Sequence, residues 1–101
     1  MVNNNFDPQQ LLSQLGERLK QARLIRNESQ ELFASRLGIT RQSYAKMEKG
    51  DPATSVGHWV NASQILGKLQ SWQEVLQNDE NLFDKFELMT SGRQRAGKQR
   101  R

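Results

Sequence analysis

The segment from Ser29 to Gly50, SQELFASRLGITRQSYAKMEKG, leaves this chain few choices of fold. Two helix-forming stretches are separated only by Leu37-Gly38-Ile39-Thr40, a gap that fits a tight turn and little else. Ser29 and Thr40 each stand where a hydroxyl can accept the unpaired amides of a helix start. Gly38 and Gly50 stand where a helix ends in a left-handed residue, a conformation glycine adopts without strain. Phe33, Ala34 and Leu37 form the inner side of the first helix, and Tyr44 and Met47 that of the second. Ala34 is small enough for the helices to cross closely, and Ile39 is placed to plug the corner between them. The second helix would then turn Arg41, Gln42, Ala45, Lys46 and Lys49 outward.

The flanks extend the helical pattern. Asp7 caps and Pro8 opens a first helix whose apolar stripe is Leu12, Leu15, Leu19 and Ala22. Gly16 reads as a blemish there, costing about 1 kcal/mol relative to alanine. Asp51-Pro52 forces a loop, after which Thr54 or Ser55 caps a helix with Val56, Trp59, Val60 and Ile65 inward, closed by Leu66-Gly67. A short fifth helix carries Leu69, Trp72, Val75 and Leu76, and Asn78 to Asn81 break the pattern before a last apolar group, Leu82, Phe83, Phe86 and Leu88. From Ser91 onward SGRQRAGKQRR repeats no apolar residue and is expected to be disordered when free. The expected fold is all-α, five helices with a short basic C-terminal tail. It divides into an N-terminal arm (1–8), a helical domain (9–77), an apolar extension (78–90) and the tail (91–101).

Composition narrows the function. At 101 residues and 35% apolar content the chain suits one small domain with a large polar surface, not a catalytic domain with a deep pocket. It has no cysteine, and its single histidine, His58, is expected to be exposed on the fourth helix, so no metal site is expected. No nucleophile–base pairing, phosphate-cradling glycine loop or paired carboxylate cluster is present, so neither an enzyme nor a cofactor is expected. The opening MVNNNFDPQQ lacks the layout of a signal peptide, and no apolar run approaches the roughly 18 residues of a membrane span. The expected location is the cytoplasm. The net charge of +4 is unevenly distributed: +3 over residues 1–50, −4 over 51–91 and +5 over 92–101. The basic regions favour a polyanion through counterion release, and the acidic stretch should face elsewhere.

Several spaced positions carry a resemblance. Ser29-Gln30, Phe33-Ala34, Leu37-Gly38-Ile39-Thr40 and Glu48-Lys49-Gly50 resemble the pattern of the Cro/phage-repressor (Xre) helix-turn-helix family, over about residues 11–67. Glu28, where the family usually has an apolar residue, and Leu32, usually polar, depart from it, as do the large Phe33 and Tyr44. The resemblance implies a lambda-repressor-like domain that binds double-stranded DNA with the helix beginning at Thr40. By position, Arg41, Gln42 and Lys46 would reach base edges, and Gln30, Thr40, Ser43 and Lys49 would contact the DNA backbone. Arg23 and Glu48 would form a structural ion pair across the helix junction. On an isolated helix such charges would be ordinary solvated groups; within this motif they read as a DNA-binding face.

One such helix covers few base pairs, so a homodimer on a palindrome is implied. Leu69, Trp72, Leu76, Leu82, Phe83 and Phe86 are the candidates for dimer or partner contacts. Some of them, Trp72 above all, could equally close the monomer's own core. The layout of the second half and the Arg/Lys/Gln-rich tail also resembles HipB-like antitoxins, which would make a HipA-like kinase toxin a partner and autorepression the output. The alternatives are a free-standing phage- or plasmid-type repressor and a protein-binding module without DNA sequence preference.

Overall fold

The computed structural model describes residues 7–78 together with 87 and 89. Four α-helices and one 3-10 helix make up the described residues, with no strand among them: α1 (Pro8–Ile25), α2 (Gln30–Leu37), α3 (Arg41–Glu48), α4 (Val56–Ile65) and the 3-10 segment Leu69–Glu74. The architecture is all-α. Two compact units divide the chain, residues 1–70 and 71–101.

Each α-helix begins on a side chain that accepts a backbone amide: Asp7 from Gln10, Ser29 from Leu32, Thr40 from Ser43 and Ser55 from Gly57. Such a cap contributes about 1 kcal/mol. Ser55, not Thr54, is the one used by α4. Gly38 closes α2 with φ 74°, and the Ile39 amide donates back to the Ala34 carbonyl at 3.1 Å. A Cβ at Gly38 would meet no atom, so backbone conformation alone calls for glycine there.

The first unit holds its core where α1, α2 and α4 meet α3 or one another: α3 packs on α1 and α2, and α2 on α4. Leu19, Phe33, Ala34, Tyr44, Met47, Trp59 and Ala62 are buried. The Phe33 and Tyr44 rings sit 5.3 Å apart and tilted by 36°, so these two large residues pack against each other. Together with Met47 they anchor α3 by its inner side.

Gly16 is not a blemish. It is buried, and a Cβ on it would lie 2.3 Å from the Glu48 carbonyl oxygen and 2.7 Å from that of Met47. Gly50 does the reciprocal thing, since its Cβ would come within 2.8 Å of the Leu12 backbone. Two missing side chains thus let α1 lie directly on the carbonyl end of α3, and Gln9 Nε2 donates to the Gly50 carbonyl across that contact at 3.1 Å.

Val56 faces outward, 63% exposed, because it occupies the first turn of α4 while Trp59 and Ala62 carry that helix's buried side. His58 is half-buried, not exposed. The fifth helix is a 3-10 segment with no buried residue, and Val75 and Leu76 are exposed beyond its end. Leu76 takes φ 64°, which ends the turn there. No helix among the described residues is long and apolar enough to cross a membrane, and none of their side chains form a group that could hold a metal ion.

Candidate nucleic-acid interface

At eight residues, α3 is about 12 Å long, and an α-helix with its side chains has the diameter that a DNA major groove about 12 Å wide admits. Its inner residues, Tyr44 and Met47, are fully buried, whereas Arg41, Gln42, Ser43, Lys46 and Lys49 are exposed. Gln42, Lys46 and Lys49 recur at helical spacing and form one stripe, with Arg41 beside it at the helix start. The face combines cations that donate to guanine O6/N7 or phosphate with an amide that matches adenine N6/N7.

The hydroxyls at the start of α3 are already organised. Thr40 Oγ1 accepts the Ser43 amide at 3.0 Å and donates to Ser43 Oγ at 3.1 Å.

Behind the exposed face lies a buried polar network centred on Glu48. Arg23 Nε donates to Glu48 Oε2 at 2.7 Å and Arg23 Nη2 to Oε1 at 3.2 Å, a two-point contact between side chains only 9% and 5% exposed. The Tyr44 hydroxyl donates to Oε2 at 2.5 Å, and Gln30 Nε2 to Oε1 at 2.9 Å. Arg23 also spends Nη1 on the Glu28 carbonyl at 2.9 Å, which ties the α1–α2 connection to the same group. Burial pushes the Glu48 carboxyl up, but the bonds from Arg23, Tyr44 and Gln30 outweigh it and hold the group below the ordinary carboxylate range. Burial, then the bond to Glu48, drives the Tyr44 phenol well above its ordinary value. The hydrogen bond to Glu48 raises the Arg23 guanidinium despite its burial.

Gln30 faces both ways. While its amide nitrogen is on Glu48, its Oε1 accepts from Arg41 Nη1 at 3.3 Å. The sequence offered no sign of this double role, because its two partners lie 18 and 11 residues away. Glu28 was also legible only as a departure from a pattern. Its side chain is nearly buried, with Oε2 between Arg26 Nε at 3.3 Å and Arg36 Nη2 at 3.4 Å, so an ion-paired carboxylate occupies the usual apolar position.

Of the remaining predicted residues, Leu69 and Leu76 are exposed and Trp72 is half-buried. Leu82, Phe83 and Phe86, along with the basic tail, lie outside the described residues.

Two short helices joined by a glycine turn, the second presenting a basic and amide-bearing face, define a helix-turn-helix DNA-binding unit. The chain matches the Helix-turn-helix family over residues 19–69 and belongs to it, as an Xre-type member. It is also similar to the SPbeta prophage-derived uncharacterized HTH-type transcriptional regulator YonR of Bacillus subtilis (strain 168), at 44% identity over 52 residues. That match covers 52% of this chain and 48% of the relative, so the chain spans about half the length of the curated relative it matches. No solved structure matches. Residues 19–69 therefore form a helix-turn-helix domain of the Xre type.

Proposed function

We propose that this protein represses transcription by binding a palindromic operator as a homodimer, with α3 in the major groove. Arg41, Gln42 and Lys46 read base edges, and Gln30, Thr40, Ser43 and Lys49 hold the DNA backbone. The observation that carries this reading is the sorting of α3 into a fully buried inner side and an exposed basic and amide face. Exposed Leu69 and Leu76 are candidates for the contact between copies, consistent with the two-fold symmetry such operators require. The prophage origin in the relative's name favours a phage-type repressor over a HipB-like antitoxin. The antitoxin reading, with its kinase-toxin partner, rests on the layout of residues 51–101. The cytoplasm is the compartment in which such a regulator meets its operator.

The test is a duplex selected from a randomised DNA pool by the full chain. The double variant Arg41→Ala/Gln42→Ala should lose roughly 10²-fold or more in preference for that duplex over a scrambled one, since a good base contact contributes about 1–3 kcal/mol of discrimination. Its thermal unfolding should match that of the unaltered protein, because both side chains are exposed. Unchanged preference, or a pool in which no sequence is enriched, would refute the reading and favour a protein-binding module.

Residues 92–101 carry five cations and no acidic side chain. As a phosphate-binding arm they should steepen the salt dependence of binding by about 0.9 in slope per phosphate engaged. Deleting them is expected to flatten the dependence of affinity on salt while sequence preference survives. A slope that stays the same would remove the tail from the interface.

A further inference from the structure

We infer that Glu28 masks Arg26 and Arg36 from DNA phosphates and so limits the sequence-independent part of DNA affinity. The inference rests on the reading that the start of α2 meets the DNA backbone. Glu28 directly precedes Ser29, the cap of α2. An apolar residue at that place commonly packs on the side chain four positions past the cap, here the buried Phe33. A carboxylate gives up that gain and adds a cost: its side chain is nine-tenths buried, and Oε1 has no hydrogen-bond partner. What the carboxylate holds instead is two cations on its other oxygen. Arg26 comes from the end of α1 and Arg36 from the last turn of α2.

The contacts fit neutralisation better than positioning. Arg23 grips Glu48 through two nitrogens, the nearer at 2.7 Å. Arg26 and Arg36 each meet Glu28 Oε2 through one nitrogen, at 3.3 and 3.4 Å, with side chains 34% and 43% exposed. Neither guanidinium is held at two points, yet both sit beside a negative charge that opposes an approaching phosphate. Arg26 lies three residues before Ser29 and four before Gln30, where the proposed complex sets the DNA backbone, and Arg36 meets it at the same oxygen. With Glu28 neutral, the two cations would repel each other outward and displace counterions from that strand. Each phosphate contact strengthens binding to non-operator DNA as much as to the operator, and non-operator DNA is in large excess. A mask on two cations therefore shortens the time such a regulator spends at wrong sites.

The test is a double-variant cycle on the selected duplex and its scrambled control, read as affinity against salt concentration. Glu28→Leu should bind both duplexes roughly 3- to 10-fold more tightly for each cation released, with a salt slope steeper by about 0.9 per cation. Preference between the duplexes should not change, and Tm should be no lower than the parent's, since the unpartnered oxygen is gone. Arg26→Ala or Arg36→Ala should cost little affinity while Glu28 is present and roughly 3- to 10-fold in the Glu28→Leu background. Equal costs in the two backgrounds would mean that net charge alone is at work, and the inference fails. It fails equally if a folded Glu28→Leu protein binds no more tightly than the parent, or binds more weakly, as a positioning role requires. Glu28→Gln keeps the shape without the charge and replaces the leucine variant in the cycle if that one folds poorly. A parent chain that enriches no duplex from the pool refutes the underlying reading instead.

Discussion

Replacing Glu48 by alanine is expected to be among the most damaging single substitutions in this protein, costing about 3–5 kcal/mol of folding stability. The loss comes less from the contacts removed than from what is left behind. Arg23 would keep a guanidinium only 9% exposed with no counter-charge, and the Tyr44 hydroxyl and Gln30 amide would lose the acceptor they share. Domains of this size typically have about 5–15 kcal/mol to lose, so chemical denaturation should show the variant with a midpoint well below the parent's. Glu48→Ala combined with Arg23→Met should recover much of the deficit, because the stranded charge is then gone. The same carboxylate predicts an acid limb. Its pKa is lowered by folding, so its contribution is present above the unfolded value of about 4.3 and fades as pH falls through the lower folded value. Glu48→Gln should flatten that limb. A Glu48→Ala variant within about 1 kcal/mol of the parent would mean that the network is dispensable.

How much of this was legible in the sequence depends on how far apart the interacting residues lie. The caps at Asp7, Ser29 and Thr40 and the left-handed Gly38 follow from local rules, because each involves partners within a few positions. The buried sides of α2 and α3 follow from helical periodicity for the same reason. Reading fails where the deciding contact is distant in sequence. Val56 fits an apolar stripe by spacing, but α4 enters the core only with Trp59 and Ala62. Leu69, Trp72, Val75 and Leu76 also fit an apolar stripe by spacing, but Leu69–Glu74 is a 3-10 turn with no buried residue. The outward face of α3 was readable from periodicity as well, whereas Gln30's tie to Glu48 and Arg41 was not. That tie depends on which ends of three side chains meet across helices.

Gly16→Ala gives the sharpest conflict between local propensity and tertiary packing, and the two predict opposite signs. In an isolated helix the change would stabilise by about 1 kcal/mol. In this fold it should destabilise by about 1–3 kcal/mol or more, because the new methyl would sit 2.3 Å from one carbonyl oxygen of α3 and 2.7 Å from another. Both atoms are backbone, so no side-chain rotation relieves the contact; α1 and α3 must separate. For a domain of this size that cost corresponds to a fall in Tm of roughly 4–8 °C per kcal/mol, readable by thermal denaturation. Gly57→Ala is the control. It is also a glycine inside a helix, but its Cβ would meet only the Ser55 hydroxyl, at 3.3 Å, so its stability should stay within about 1 kcal/mol of the parent. A Gly16→Ala protein more stable than the parent would show that α1 does not rest on the backbone of α3. If the variant is instead destabilised yet still folded, its DNA affinity should fall further than its stability accounts for. The same carbonyl end of α3 that Gly16 touches carries Glu48, and any retreat of α1 pulls Arg23 away from it. Gly16 is therefore the point at which α1 sets the position of the short α3, the helix proposed to face DNA.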